Sequence, residues 1–313
     1  MSNLQSSHIM GAAFGFASVC CFSLNDVGIK FLSGGYPLHQ VVLIRSMIGL
    51  AVFLAVIAPF HFGKPLFRSQ RPWKLILRGL CAVFANMAFF LGLAALPIAD
   101  AVAIFFVSPL VISVMSVFIL GETVGPRRWA AIAIGLIGVL IVIRPGTDVF
   151  QIASLLPICA AIGYGYLHMI TRQVRETESA ATMTLYTLFV FITVSVVIGL
   201  ALGHGRFDGY AHESLTFLLR AWHWPELSDM WVFGLIGVAS MAGGMFVSQA
   251  FRLSDAAFIA PMEYVAMPLA LFWGVVVFDT WPDGLALFGM VLIVGSGLFL
   301  VFREAQIARR ENI

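Results

Sequence analysis

The sequence of 313 residues is 60% hydrophobic and only 11% charged, and its formal net charge is +2. Soluble domains carry about 25% charged residues, which keep their surfaces hydrated. The composition therefore excludes a disordered chain, a nucleic-acid-binding protein and an ordinary soluble enzyme. It predicts a protein that crosses a membrane several times.

Ten apolar stretches follow one another along the chain, each close to the ~20 residues that a helix needs to cross the hydrocarbon layer. They lie at residues 9–32, 39–60, 74–95, 98–120, 128–144, 151–171, 180–202, 230–252, 254–278 and 283–302. Their residues are apolar on every side, whereas strands of a membrane barrel alternate apolar and polar residues. The predicted fold class is an all-α membrane protein with ten transmembrane helices.

The basic residues predict the orientation of these helices. With the N-terminus placed inside, most of the 18 Lys and Arg residues fall in the inner connections, and Arg144, Arg206 and Arg220 fall outside. Cytoplasmic loops carry such an excess, so both termini are expected in the cytoplasm. The one long connection, 203–229, is then external, and its stretch 212–224 fits either a helix lying flat at the membrane surface or an ordinary loop.

The two halves of the chain contain similar segments in the same order. LPIADAVAIFFVSPL, LGETVGPRRW and GLIGVLIVIRPG in the first half correspond to RLSDAAFIAPMEYVAMPL, VFDTWPDGLALFG and IVGSGLFLVFRE in the second. The matched residues are Asp100 with Asp255, Pro109 with Pro268, Glu122 with Asp279, and Gly138 with Gly295. An odd number of spans in each half would insert the second half upside down, as in many secondary transporters. We predict halves at residues 9–146 and 150–303.

The most distinctive residues of this repeat are SPL at 108–110, LGE at 120–122 and the Gly-rich segment 135–138. Through them the chain resembles the drug/metabolite transporter superfamily in its ten-span form with two EamA-type repeats, although Asp279 replaces the more usual Glu. The resemblance implies transport of a small metabolite and leaves the cargo open. The block MEYVAMPLALFWG is similar to members thought to import cofactor-like metabolites such as S-adenosylmethionine or riboflavin, while other branches export amino acids or drugs.

A few charged residues lie at membrane depth, where each costs about 2.5–3.5 kcal/mol to insert and so usually faces a cavity or a partner. Glu263 lies near the middle of the ninth span, just after Pro261, and is a candidate proton carrier, substrate contact or packing partner for Arg45. Asp26, Lys30 and Arg45 share one level in the first two spans. They either bind an ionic group of the substrate or pair with one another to fix helix packing.

Uncharged polar residues at similar depth complete the predicted substrate-binding or coupling set. They are Asn86, Ser108, Tyr164, Gln249, Tyr264 and Trp273. Interhelical hydrogen bonds explain each of them singly. Together they could form a mostly apolar pocket with a few polar anchors, which is typical of small-molecule sites.

Known catalytic signatures such as HExxH, GxSxG, the Walker motif and CxxC do not occur in the sequence. We therefore predict no catalytic residues, no cofactor and no metal site. The expected function is secondary transport by alternating access in the bacterial inner membrane, with an intramembrane enzyme or a channel as the alternatives. The expected partners are a small organic substrate, the lipid bilayer and protons as a candidate coupling ion, without nucleic acid. Monomer and homodimer both stay open.

Overall fold

The computed structural model describes residues 2–61, 69–120, 126–147, 150–174, 177–209, 212–253 and 263–311. Within these ranges the regular structure is helical and contains no strand. The α-helices are α1 (Ser2–Ser33), α2 (Leu38–Val52), α3 (Pro72–Ala95), α4 (Ile98–Phe105), α5 (Ser108–Leu120), α6 (Pro126–Ile143), α7 (Leu155–Val174), α8 (Ala180–Leu202), α9 (Glu213–Leu219), α10 (Met230–Leu253), α11 (Ala266–Phe278) and α12 (Gly284–Glu311). A π-helical turn, Phe53–Ile57, and a 3-10 turn, Ala58–His61, prolong α2.

Six of the described helices are long and apolar enough to cross a membrane, namely those containing Ala13–Ser33, Leu38–Ile57, Pro72–Ala95, Ile152–Thr171, Ala180–Leu202 and Met230–Val247. Four shorter apolar helices lie at Ile98–Ile112, Trp129–Ile143, Ala266–Phe278 and Gly284–Phe299. The chain is thus an all-helical membrane protein. The count of ten spans stays a prediction, because these four helices are shorter than a full crossing.

Proline and left-handed residues set several helix ends. Pro37, Pro72 and Pro97 stand at or just before the first residue of α2, α3 and α4. Proline lacks an N–H group, and the first N–H groups of a helix have no partner within the helix. Arg144 and Asp279 directly follow α6 and α11 with a φ of 51°. A left-handed residue is a common way to end a helix.

The predicted fourth span is two helices rather than one. The helix α4 ends at Phe105, the chain turns at Phe106 and Val107, and α5 begins at Ser108. Pro109 has no N–H to donate to the carbonyl group of Phe105, so a continuous helix would lose a hydrogen bond there. The stretch 98–120, predicted as one span, therefore contains a turn at Phe106 and Val107.

The predicted ninth span has a similar turn. Glu263 is helical, Tyr264 and Val265 form a turn, and α11 begins at Ala266, two residues before Pro268. Pro261 and Asp255 in this span lie outside the described residues, as does Glu122 after α5. Both broken segments therefore place a turn two to four residues before a proline.

The helices pack in a definite pattern. The helix α3 packs against α7 and α8, while α10 packs against α1 and α2. In addition α2 contacts α8, α4 contacts α11, α5 contacts α7, α1 contacts α11, and α6 contacts α12. The α6–α12 contact is close because a Cβ atom on Gly138 would lie 2.8 Å from the carbonyl oxygen of Gly289, and the reverse distance is also 2.8 Å. Small residues of this kind allow helix backbones to approach closely in membranes.

The long connection after α8 folds back over the ends of α1 and α3. The short helix α9 packs against α3, Ser214 Oγ donates to the carbonyl oxygen of Leu91 at 2.7 Å, and Phe217 is 1% exposed. Beyond α9, the indole of Trp222 fills the space beside Gly199 and Gly203. Of the two alternatives for 212–224, a helix forms over Glu213–Leu219 only, and it is fixed to the bundle.

Candidate functional site

The charged residues predicted in the first two spans form a hydrogen-bonded series. Asn25 Nδ2 donates to Asp26 Oδ1 at 3.2 Å, and Arg45 Nη1 donates to Asn25 Oδ1 at 3.2 Å. Asn25 and Arg45 are each 3% exposed, and Asp26 is half-buried. The structure thus joins the Asp26 carboxylate to the Arg45 guanidinium through a neutral amide.

The Arg45 guanidinium lies between two aromatic rings. Its Cζ atom is 5.4 Å from the ring centroid of Phe90 on α3 and 5.3 Å from that of Phe191 on α8. Aromatic faces attract a cation, and more strongly where water is scarce. Its Nε atom has no hydrogen-bond partner among the described residues. A buried guanidinium with unused N–H donors is suited to bind a carboxylate or phosphate group.

A row of aromatic side chains runs from Arg45 to the region of the two helix breaks. Successive ring centroids are 5.8 Å apart from Phe90 to Phe89, 5.2 Å from Phe89 to Phe105 and 5.4 Å from Phe105 to Tyr164. The row therefore connects α2, α3, α4 and α7. It offers the apolar lining that small-molecule sites usually have.

Glu263 and Tyr264 lie at the break before α11, opposite the break between α4 and α5. The Tyr264 ring stacks on Phe106 with centroids 5.2 Å apart, and a Cβ atom on Gly297 would overlap its hydroxyl group. Tyr264 is 6% exposed, and its hydroxyl group has no hydrogen-bond partner in the described part of the chain. The half-buried Glu263 lies within electrostatic range of Tyr164 and Tyr264. Glu263 and Tyr264 thus lie at one break, and Tyr164 contacts Phe105 at the other.

Lys30 lies apart from this series, although it shares a helix with Asp26. Its Nζ atom donates to the carbonyl oxygens of Leu93 at 2.8 Å and Leu96 at 2.6 Å, at the end of α3. The last carbonyl groups of a helix have no partner within the helix and carry partial negative charge, so a lysine stabilises them. Lys30 therefore caps α3 in this structure.

The other predicted residues occupy separate places on the helices. Asn86 and Gln249 are half-buried on α3 and α10, and Ser108 is 3% exposed at the first residue of α5. Trp273 is half-buried on α11, and within the described residues its indole N–H has no hydrogen-bond acceptor. Among the described residues, no hydrogen bond or ring contact joins any of these four side chains to Asp26, Arg45 or Tyr164, although Ser108 directly follows the first break.

Two polar residues of the interior were missed by sequence reasoning. Asn25 links Asp26 to Arg45 as described above. Arg78 Nε donates to Thr171 Oγ1 and its Nη1 to Thr187 Oγ1, both at 2.8 Å, so it joins α3, α7 and α8. Sequence reasoning counted Arg78 only among the basic residues at the inner side of the membrane. Its position six residues after Pro72, about 9 Å along the helix, was the signal that it lies within α3.

Outside the membrane-spanning helices one ion pair ties α6 to α12. Arg144, just after α6, pairs with Asp283, just before α12. The hydrogen bond from Arg144 lowers the pKa of Asp283, and a second bond from the backbone N–H of Ala286 acts in the same direction. This pair fixes one end of the close α6–α12 contact.

Membrane-spanning helices, helix breaks and charged groups held in the interior are together typical of membrane transporters. Residues 9–144 match the EamA-like transporter family. The chain is therefore a transporter rather than an enzyme, and a multi-pass protein of the bacterial inner membrane, and its first half is similar to EamA-like transporters. The predicted resemblance is confirmed.

Relatives match along nearly the whole chain. The S-adenosylmethionine uptake transporter of Rickettsia prowazekii is 25% identical over 306 residues, covering 98% of this chain and 97% of that protein. The riboflavin transporter of Rhizobium johnstonii is 27% identical over 302 residues, covering 96% of this chain and 94% of the relative. A protein of known crystal structure shares the fold with a TM-score of 0.63 at 19% identity, over 97% of this chain and 99% of the other. A small-molecule substrate follows from these relationships.

Proposed function

We propose that this protein is a secondary transporter built from two inverted halves, residues 9–146 and 150–303, each with five spans and with both termini in the cytoplasm. The helix contacts support this arrangement. In the proposed repeat, the first-half helices α1, α2, α3 and α5 correspond to the second-half helices α7, α8, α10 and α11. Exchange of the halves therefore turns the contact of α3 with α7 into that of α10 with α1. It also turns the contact of α3 with α8 into that of α10 with α2. The contact of α5 with α7 likewise becomes that of α11 with α1. All of these contacts occur.

The two helix breaks give independent support. In the proposed repeat the break between α4 and α5 corresponds to the break before α11, and Phe106 of one touches Tyr264 of the other. Discontinuous helices near the membrane centre are where many secondary transporters bind substrate and coupling ions. Alternating access then follows if the halves rock around this region.

The observation that carries the proposal is the buried Arg45 guanidinium between two rings, with Asp26 reached through Asn25. Charge is costly at this depth unless it serves a ligand or a partner. We assign Asp26, Arg45, Tyr164, Tyr264 and Glu263 to the substrate path. The aromatic row between Arg45 and Tyr164 would hold the flat part of the cargo.

For the cargo we propose a cofactor-like metabolite that is taken up, with S-adenosylmethionine as the first candidate. It combines an aromatic purine with a carboxylate and cationic groups, and the site combines aromatic rings with a guanidinium and two acids. Riboflavin is the second candidate, because its flat ring system also fits the aromatic row. Export of amino acids or drugs is the alternative direction.

The test is uptake of radiolabelled S-adenosylmethionine and riboflavin into proteoliposomes preloaded with the unlabelled compound. We expect accumulation of one of them that the other does not inhibit. If correctly folded protein, inserted in both orientations, exchanges neither compound, the cargo assignment is wrong.

Proton coupling through Glu263 is tested separately. A carboxylate at this depth can carry a proton, whereas an amide cannot. Uptake driven by a pH gradient should therefore be lost in Glu263→Gln, while exchange of labelled for unlabelled cargo without a gradient is retained. Equal gradient-driven uptake by wild type and Glu263→Gln would contradict the coupling role. The matched control is Glu226→Gln, which changes an exposed acid in the outer connection.

A further inference from the structure

A cavity of about 380 Å³ lies where the ends of α1, α3 and α11 meet α9. In the proposed topology this is the outer face of the membrane. Three charged side chains, Lys30, Glu213 and Arg220, line it together with the rings of Phe31 and Phe278. Its volume falls within the ~300–1,000 Å³ of small-molecule sites. It is separate from the row of rings that runs from Arg45 to Tyr164.

The cation of Lys30 is held at this cavity by the backbone of α3 rather than by an acid. Its two hydrogen bonds go to the carbonyl oxygens of Leu93 and Leu96, and its Nζ atom is 5.5 Å from the ring centroid of Phe278. An ammonium group has three N–H donors, so one remains for a ligand. The bonds to α3 fix the direction in which that donor points.

The other two charges lie at the two ends of α9, Glu213 at its first residue and Arg220 directly after its last. Glu213 and Arg220 are seven residues apart, which is two helical turns, and both line the cavity. Arg220 Nη1 donates to the carbonyl oxygens of Ser33 at 3.0 Å and Tyr36 at 3.5 Å, and the Nε and Nη2 atoms of the guanidinium carry further N–H groups. Glu213 is exposed and lies within electrostatic range of Lys30. The cavity therefore presents two positioned cations and one acid beside aromatic rings.

We propose that this cavity is an outer capture site for a zwitterionic amino-carboxylate group of the cargo, with the carboxylate between Lys30 and Arg220 and the ammonium group at Glu213. This rests on the proposed function, in which the cargo then passes to the central path. A ligand with an ammonium group but no carboxylate would be repelled by Lys30 and Arg220. A ligand with a carboxylate but no ammonium group would leave Glu213 without a partner. A neutral flavin matches neither pair.

The binding test uses L-methionine, N-acetyl-L-methionine, which lacks the ammonium group, and L-methionine methyl ester, which lacks the carboxylate. Their dissociation constants are measured by thermal stabilisation of the purified protein in detergent free of phosphatidylethanolamine. We expect L-methionine to bind about tenfold more tightly than either derivative, since each derivative loses a charge-assisted contact. Equal affinities for the three compounds would overturn the proposal.

Variants assign the binding to this cavity. Glu213→Gln should raise the dissociation constant for L-methionine about tenfold and leave that for N-acetyl-L-methionine unchanged, because only the first has an ammonium group. Glu226→Gln, the exposed control, should change neither. If both variants bind L-methionine like wild type, the cavity is not the site.

Two further measurements separate this proposal from its alternatives. The headgroup of phosphatidylethanolamine is also a zwitterion, so the lipid is added in bicelles. Stabilisation by the lipid that depends on Glu213, without any by L-methionine, would make the cavity a lipid site and overturn the proposal. Uptake of the cargo with an unchanged KM in Glu213→Gln would likewise refute only the capture site. Absence of uptake in wild type would refute the proposed function instead.

Discussion

Replacement of Arg45 by methionine distinguishes a substrate contact from a packing contact. In the folded protein Arg45 has two ring contacts, at 5.4 and 5.3 Å, and one hydrogen bond to Asn25 at 3.2 Å. Each ring contact contributes up to about 2 kcal/mol where water is excluded, and the charged hydrogen bond about 1.5–3 kcal/mol. Burying the cation costs several kcal/mol, so these terms nearly cancel.

We therefore expect Arg45→Met to fold, with an apparent Tm within about 5 °C of wild type, since about 1 kcal/mol moves the Tm of a large domain by 2–4 °C. Transport should fall much further. Loss of a charge-assisted contact with the cargo costs about 2–3 kcal/mol, which is roughly a 30- to 150-fold lower kcat/KM.

The assay is initial uptake in proteoliposomes, with the amount of folded protein measured by size-exclusion chromatography and the apparent Tm measured in detergent. The exposed Arg206, replaced by methionine, is the control for loss of one positive charge. Uptake by Arg45→Met within about threefold of wild type would refute a substrate contact. Loss of folded protein would show instead that the packing terms outweigh the cost of burial.

Three further outcomes follow from the packing and charges of the described residues. Gly297→Val should lower both the apparent Tm and uptake, because Tyr264 occupies the space of the new side chain and would leave Phe106; overpacking typically costs about 1–3 kcal/mol. An apparent Tm of Gly297→Val in detergent equal to that of wild type would contradict this prediction, because it would show that Tyr264 moves freely. Phe217→Ala should destabilise the protein by about 3–5 kcal/mol in denaturant unfolding, since the ring is 1% exposed; a smaller loss than about 1 kcal/mol would show that α9 is dispensable. The hydrogen bond from Arg144 lowers the pKa of Asp283, so the ionised carboxylate stabilises the folded protein. This stabilisation is fully present above the unfolded-state pKa of about 3.9, and it is lost as the pH falls through the lower folded-state pKa. The Tm difference between wild type and Asp283→Asn should accordingly be largest near pH 7 and vanish in acid, and a difference independent of pH would contradict this role.

The class of protein and most helices were predictable, because membrane insertion depends on local apolar length. The proximity of Asp26 to Arg45 was also predictable, since both were placed at one depth. Which way a side chain faces around its helix was not predictable, because uniformly apolar helices carry no periodic pattern that reveals their rotation. For this reason the aromatic row between Arg45 and Tyr164 and the capping role of Lys30 appear only in the structure.

The breaks show a second limit. The absence of an N–H on Pro109 was sufficient to predict the end of α4, yet the apolar run through it favoured one helix. The bonding role of Arg78 was missed for a related reason, because a basic residue near a span end was used only to predict the orientation. Its partners, Thr171 and Thr187, are common residues in apolar helices, and only the assembled bundle shows that they share one cation.

The long connection between α8 and α10 affects the expected rate of the proposed transport cycle. It is fastened by the bonds of Ser214 to Leu91, Arg220 to Ser33, Gln40 to His223 and Tyr36 to Asp229. Each such bond contributes about 0.5–1.5 kcal/mol, so releasing all four raises the activation barrier by about 2–6 kcal/mol. In the alternating-access cycle that we propose, separation of the helices beneath this connection would break these bonds. The turnover rate should therefore rise steeply with temperature, and a shorter connection would be expected to make a faster, leakier protein.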